Sequence, residues 1–173
     1  VLAPGSFHPP NFLEVPGEEL EKVRHYYKEP APYYDQDVVV VGGGNSAVEA
    51  ALELFRSGSR VTLVHFLDEI DPGVKPRVVP DITNRLEKGE IEVFWKHRVE
   101  RIEPDAVLLR HDETGKTTEI ANDFVLAMTG WRPDPRLLRE LGVTIDPETA
   151  VPSHDPDTME TDVPGVYVAG VLA

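Results

Sequence analysis

Apolar and polar positions along the chain change period more than once. Up to Gln36 no period holds, because Pro4, Pro9, Pro10, Pro16, Pro30 and Pro32 interrupt every long element. A short helix is expected at Glu18–Tyr26, where acidic residues come first and Lys22, Arg24 and His25 follow, as the helix dipole prefers. Tyr26, Tyr27, Tyr33 and Tyr34 cluster around the prolines and read as packing aromatics, with a ligand-facing role as the alternative. From Asp37 the pattern is regular. The β-branched run predicts a strand at Asp37–Val41. A helix is predicted at Ser46–Ser57, where Ala47, Ala50, Ala51, Leu54 and Phe55 recur at helical spacing and Gly58 supplies the stop. Arg60–His65 is apolar enough for a buried parallel strand. A loop with Pro72, Gly73, Pro76 and Pro80 leads to a predicted helix Asp81–Lys88, with Asp81 as an N-terminal acid or cap and Gly89 ending it. Ile91–Trp95 completes the parallel series.

The period then drops toward two. Val99–Ile102, Ala106–Arg110 and Thr117–Ile120 read as short antiparallel strands, with a hairpin turn at Glu113–Lys116. Asp123–Ala127 returns as a buried strand, and Pro135–Leu141 reads as a short helix with proline near its first turn. The tail from Val143 is acidic and proline-rich until Val163–Gly170, which reads as a last strand ending in glycine. There is no fixed-period repeat. The fold class is therefore α/β, a Rossmann-like parallel sheet with a small antiparallel excursion near residues 97–121.

The chemistry concentrates between the first regular strand and its helix. Val38-Val39-Val40-Val41 runs directly into Gly42-Gly43-Gly44-Asn45-Ser46-Ala47. Gly42 permits a tight turn at the strand end, and Gly44 lets backbone N–H groups approach a pyrophosphate. Ala47 stands where a third glycine is usual and still lets the helix pack close on the strand. A pyrophosphate would then lie against the positive end of the helix dipole. Strand, glycine turn, helix and second strand in this order define a dinucleotide-binding βαβ unit, the alternative being a plain glycine turn in another α/β sheet.

Composition narrows the partners. The chain has 173 residues, a net charge of −14 and no cysteine. A surplus of acid disfavours nucleic acid or an anionic membrane as a partner. Without cysteine there is no disulfide, thiolate metal site or redox thiol in this segment. No apolar run approaches the roughly 20 residues that span a bilayer, and the expected compartment is the cytoplasm. His8, His97, His111 and His154 lack ligand spacing, and Asp155-Pro156-Asp157 reads as a turn, so no metal site is expected.

Four stretches, taken in order, resemble the FAD-dependent pyridine-nucleotide-disulfide oxidoreductase superfamily. They are the glycine turn, Phe124–Asp134, Val163–Gly170 and Val1–Ser6. Within it, His25–Pro30, Gly43–Ala47, Val64-His65 and Pro80–Arg85 resemble the thioredoxin-reductase-like group of YpdA-type bacillithiol-disulfide reductases. The resemblance implies an NAD(P)H-binding domain at 37–150, preceded by the end of a flavin-domain segment and linker at 1–36 and followed by a return segment toward the flavin at 151–173. It also implies FAD in the intact enzyme, with Gly5 and Gly170 in flavin-facing segments. The implied reaction is hydride transfer from NADPH to FAD and onward to a low-molecular-weight disulfide such as bacillithiol disulfide. A homo-oligomer is expected at full length. Two departures matter. The region where thioredoxin reductases carry a CxxC dithiol reads Tyr27-Lys28-Glu29-Pro30, and Gly170 is followed by Val171 rather than aspartate. The chain reads as an internal section of a larger enzyme. A flavin-dependent reductase or monooxygenase with a non-disulfide acceptor, and a non-catalytic nucleotide-binding module, stay open.

An NAD site usually carries Asp or Glu at the end of the second strand. Here His65 and Phe66 stand there, which favours NADPH over NADH. Thioredoxin reductases place two arginines directly after the matching histidine, whereas Phe66 and Leu67 follow it here. His65 is a candidate donor to a 2′-phosphate, with Lys75 and Arg77 closing over it as charge-assisted donors. Their alternatives are a satisfied strand-end histidine and a solvated loop. Asp68 and Glu69 lie close by and could oppose a phosphate or bind ribose. Glu49 is a candidate at the nicotinamide end or a helix-start acid. Thr129 and Gly130 follow a strand's carboxyl end, where open α/β sheets bind ligands. Arg132 reads as a surface ion pair, with a contact to the cofactor as the alternative.

Overall fold

A computed structural model describes residues 1–3, 10–131, 136–147 and 149–170. It divides into two compact units, one of Phe12–Gly130 and one of Val1–Asn11 with Trp131–Ala173. The larger unit contains β1 (Val23–Arg24), a 3₁₀ turn at Ala31–Tyr33, β2 (Asp37–Val41), α1 (Asn45–Arg56), β3 (Arg60–His65), α2 (Val79–Glu87) and β4 (Glu92–Trp95). It continues with β5 (His97–Ile102), β6 (Ala106–His111), β7 (Thr117–Ala121) and β8 (Phe124–Ala127). β1, β8, β2, β3 and β4 lie side by side in that order as one sheet, and every pair in it is parallel. β5, β6 and β7 form a separate antiparallel sheet.

The valine run of β2 is uninterrupted because both its faces are covered. Val38 and Val40 face a cluster with Ala47, Val48, Ala51 and Leu52 of α1. Val39 and Val41 face the other way, into a cluster with Val99, Ile102, Val107 and Leu109 of the small sheet. The parallel sheet is thus a middle layer between helices and the antiparallel sheet. Its amino-terminal edge is tied by Arg60, whose guanidinium bonds Asp37 at 2.7 Å and Asp35 at 2.6 Å. The Arg60 hydrogen bond holds the Asp37 carboxyl below its usual range. Lys22 joins β1 to the far end of the small sheet, its amine donating to the Ala106 carbonyl at 3.1 Å and to Asn122 Oδ1 at 3.1 Å.

The expected helix at 18–26 does not form. Gly17 has φ +86° and lies so close to the Ile102 carbonyl that no side chain fits there. The Glu18 carboxylate accepts the Leu13 and Glu14 N–H groups, each at 2.7 Å. Val23 and Arg24 then pair with Val125 and Leu126 of β8. Long-range pairing overrides the local dipole preference, as a two-residue strand is invisible to periodicity. α2 begins ahead of Asp81 because Pro80 is tolerated in a first helical turn, and Asp81 is a first-turn acid rather than the cap. The hairpin turn forms as expected, with Gly115 at φ +68° joining β6 to β7.

In the smaller unit, α3 (Arg136–Glu140) buries Leu138 with Val143 and Val168. The expected strand at 163–170 does not form as such: the Val166 N–H donates to the Val163 carbonyl at 3.1 Å in a turn with Gly165 at φ +80°, and Tyr167 and Val168 make single bridges, to Glu160 and Leu2. Gly5, Arg132 and Pro135 lie outside the described residues. Among the described residues, no helix is long and apolar enough to cross a membrane.

Candidate functional site

The carboxyl ends of β2, β3 and β8 open on a cleft of about 480 Å³, lined entirely from the larger unit. Gly42 turns the chain off β2. Its N–H donates to the Val64 carbonyl at 2.9 Å, and at φ +134° any Cβ would run into the Met128 carbonyl. Gly43 is required for a different reason. A Cβ there would overlap the His65 ring, lying 2.6 Å from its Cε1. Gly44 is the N-cap of α1, extended and without a side-chain cap. The first helical bond runs from Val48 N–H to the Gly44 carbonyl at 3.0 Å, so the N–H groups of Asn45, Ser46 and Ala47 precede it. Three donors and a dipole end at the cleft suit a diphosphate. Ala47 is fully buried against the sheet, as its small side chain allows.

His65 lies beneath this turn, nearer the alternative of a strand-end histidine held within the fold than the candidate phosphate donor. Only 2% of the residue is exposed, and Nε2 lies 3.2 Å from Asp71 Oδ1. The Asp71 N–H in turn donates to the Gly43 carbonyl at 3.0 Å. Burial lowers the His65 pKa more than the Asp71 carboxylate raises it, so the ring is neutral at pH 7. The neutral ring donates its Nε2 hydrogen to the carboxylate and leaves Nδ1 as a buried acceptor with no hydrogen-bond partner. This geometry is that of a support for Gly43.

Asn45 pins the following loop to the helix start. Its amide donates to the Gly73 carbonyl at 3.0 Å and accepts the Lys75 N–H at 2.8 Å. Lys75 Nζ and Arg77 Nη2 both reach Glu49, at 2.9 and 3.4 Å. The Lys75 bond, helped by Arg77, holds the Glu49 carboxyl below its usual range. The cleft therefore brings together Gly42, Gly43, Gly44, Asn45, Ser46, His65, Thr129 and Gly130. Glu49, Lys75 and Arg77 form a cluster of their own outside its lining. Gly170 belongs to the other unit, at φ +77°.

Sequence reasoning passed over Phe12, Leu13, Asp71 and Arg98, all of which line the cleft. Phe66 is 46% exposed despite its size, and Arg98 lies over its ring at 4.8 Å. Phe66 stands at the strand end where the sequence placed it beside His65. Arg98 gave no sequence signal, since its position depends on how the chain leaves β4.

This fold and cleft define a nucleotide-binding α/β unit, and comparison with known proteins names the class. The chain belongs to the pyridine nucleotide-disulphide oxidoreductase family, whose profile matches residues 1–170. It is 47% identical over 173 residues to the bacilliredoxin reductase Bdr of Bacillus subtilis, covering all of this chain and 53% of that protein. The solved bacillithiol disulfide reductase Bdr (YpdA) of Bacillus cereus matches with a TM-score of 0.94 and 44% identity, over 99% of this chain and 52% of that one. A thioredoxin reductase of Lactococcus lactis matches with a TM-score of 0.81 and 29% identity, over 98% of this chain and 56% of that one. The chain thus spans about half the length of the relatives it matches. The family brings the general cofactor class, a pyridine nucleotide working with a flavin.

Proposed function

We propose that this chain is the pyridine-nucleotide-binding part of a longer flavoprotein that reduces a low-molecular-weight disulfide such as bacillithiol disulfide. NADPH is the proposed hydride donor, FAD the flavin, and the cytoplasm the compartment. When bound, the two cofactors supply hydride transfer and onward electron transfer. The chain's own residues bind and orient. The N–H groups of Asn45, Ser46 and Ala47 receive the diphosphate, while Gly42 and Gly43 let the turn that presents them pass close to the Met128 carbonyl and the His65 ring. Thr129 and Gly130 line the strand-end side of the cleft, where the nicotinamide would be held. Gly5 and Gly170 belong to the segments proposed to meet the flavin. The observation that carries this reading is the uncapped, glycine-bounded start of α1 opening on the cleft.

The test is anaerobic rapid mixing of the full-length, FAD-loaded protein. NADPH is expected to bleach the flavin, and bacillithiol disulfide is expected to restore its absorbance with release of bacillithiol. Bleaching without reoxidation by the disulfide would reject the proposed acceptor and favour a reductase or monooxygenase of another kind. A full-length protein that binds NADPH but holds no flavin would reject an enzymatic role.

A further inference from the structure

We infer that Arg98 is the ligand of the adenosine 2′-phosphate and so sets the choice of NADPH over NADH; this rests on the dinucleotide reading above. In a βαβ unit the diphosphate lies at the glycine turn and the adenosine ribose passes over the end of the second strand. That strand is β3, whose last residue, His65, is buried and bonded to Asp71. The surface the ribose meets is therefore the next residue, Phe66, and Arg98 lies across its ring. Among the described residues that line the cleft, Arg98 carries the only guanidinium or ammonium group. Lys75 and Arg77 are held by Glu49 and lie outside the lining.

The backbone is built to bring Arg98 there. Lys96 has φ +56°, an unusual conformation for a non-glycine residue, and it turns the chain from β4 into the small sheet. Its N–H donates to the Leu67 carbonyl at 2.9 Å, and its carbonyl accepts the Asp112 N–H at 2.7 Å. These bonds lock the first residues of β5 over the end of β3. Arg98 stands directly opposite Arg110 in the β5–β6 register, a like-charge pair that a bound anion would ease beyond what Asp112 alone supplies. Asp112 takes the Arg98 Nε–H at 3.0 Å, and a guanidinium carries four further N–H groups for a phosphate.

The test measures Kd values of NADPH and NADH for the full-length, FAD-loaded protein. Arg98→Ala is expected to weaken NADPH roughly 10- to 100-fold, the loss of a charge-assisted phosphate contact, and NADH less than about 2-fold. Asp112→Asn keeps Arg98 in place and removes a competing carboxylate, so NADPH is expected to tighten about 3-fold with NADH unchanged. Equal losses of both nucleotides in Arg98→Ala, or weaker NADPH in Asp112→Asn, would overturn the assignment. So would a selective NADPH loss in Lys75→Ala/Arg77→Ala that Arg98→Ala lacks. If the unmodified protein binds both nucleotides alike, Arg98 sets no choice, while the dinucleotide site stands. If it binds neither, the dinucleotide reading itself falls.

Discussion

Gly43→Ala is expected to weaken NADPH binding roughly 10- to 100-fold, the scale of losing one charge-assisted hydrogen bond to the diphosphate. Gly43 has an ordinary backbone conformation, so the effect comes from space and not from φ. A methyl group here would overlap the His65 ring. That ring cannot swing aside freely, because it is buried and its Nε2 is held by Asp71. The backbone of the turn must move instead, and with it the N–H groups at the start of α1. The same picture makes a second expectation. His65→Ala removes the obstacle, so the double variant Gly43→Ala/His65→Ala should bind NADPH more tightly than Gly43→Ala alone. A double-variant loss equal to the sum of the two single losses would show that His65 does not press on Gly43. Calorimetric Kd values for the four proteins decide it.

Leu126→Ala is expected to lower unfolding stability by about 3 kcal/mol, in the range for large-to-small changes at fully buried sites. Leu126 is in β8, between β1 and β2, and none of its surface is exposed. It packs in the cluster that holds Val38 and Val40 of β2 with Val48 and Leu52 of α1. The hole left by truncation is bounded by paired strands, which relax poorly, so the cavity cost adds to the lost transfer energy. Denaturant unfolding should show a lower midpoint with an unchanged slope. A loss below about 1 kcal/mol would mean that this layer collapses into the space and is not close-packed.

The elements that the sequence made legible are those whose pattern is local and complete. Asp37–Val41 and Arg60–His65 form with the bounds their apolar runs predict, because strands buried on both faces need no long-range information to be recognised. α1 is equally legible from its alanine and leucine spacing. β1 is not, since Val23 and Arg24 are strand only by pairing with β8. The glycine turn was readable as a binding motif, yet the reason Gly43 must be glycine lies in His65, twenty-two residues on. His65 itself was placed at the right strand end, but its burial and its bond to Asp71 come from tertiary packing. The same holds for basic residues. Lys75 and Arg77 have the charge a phosphate wants, and Glu49 claims both. Arg98 reaches the cleft two residues after Lys96 takes a left-handed turn out of β4.

The central claim is that backbone N–H groups at the start of α1 hold the diphosphate of a pyridine dinucleotide. A crystal structure of the full-length, FAD-loaded protein with NADPH addresses it directly. Phosphate oxygens are expected within about 2.7–3.2 Å of the Asn45 and Ser46 nitrogens. A nucleotide bound elsewhere, with the Gly42–Ala47 turn untouched, would contradict it.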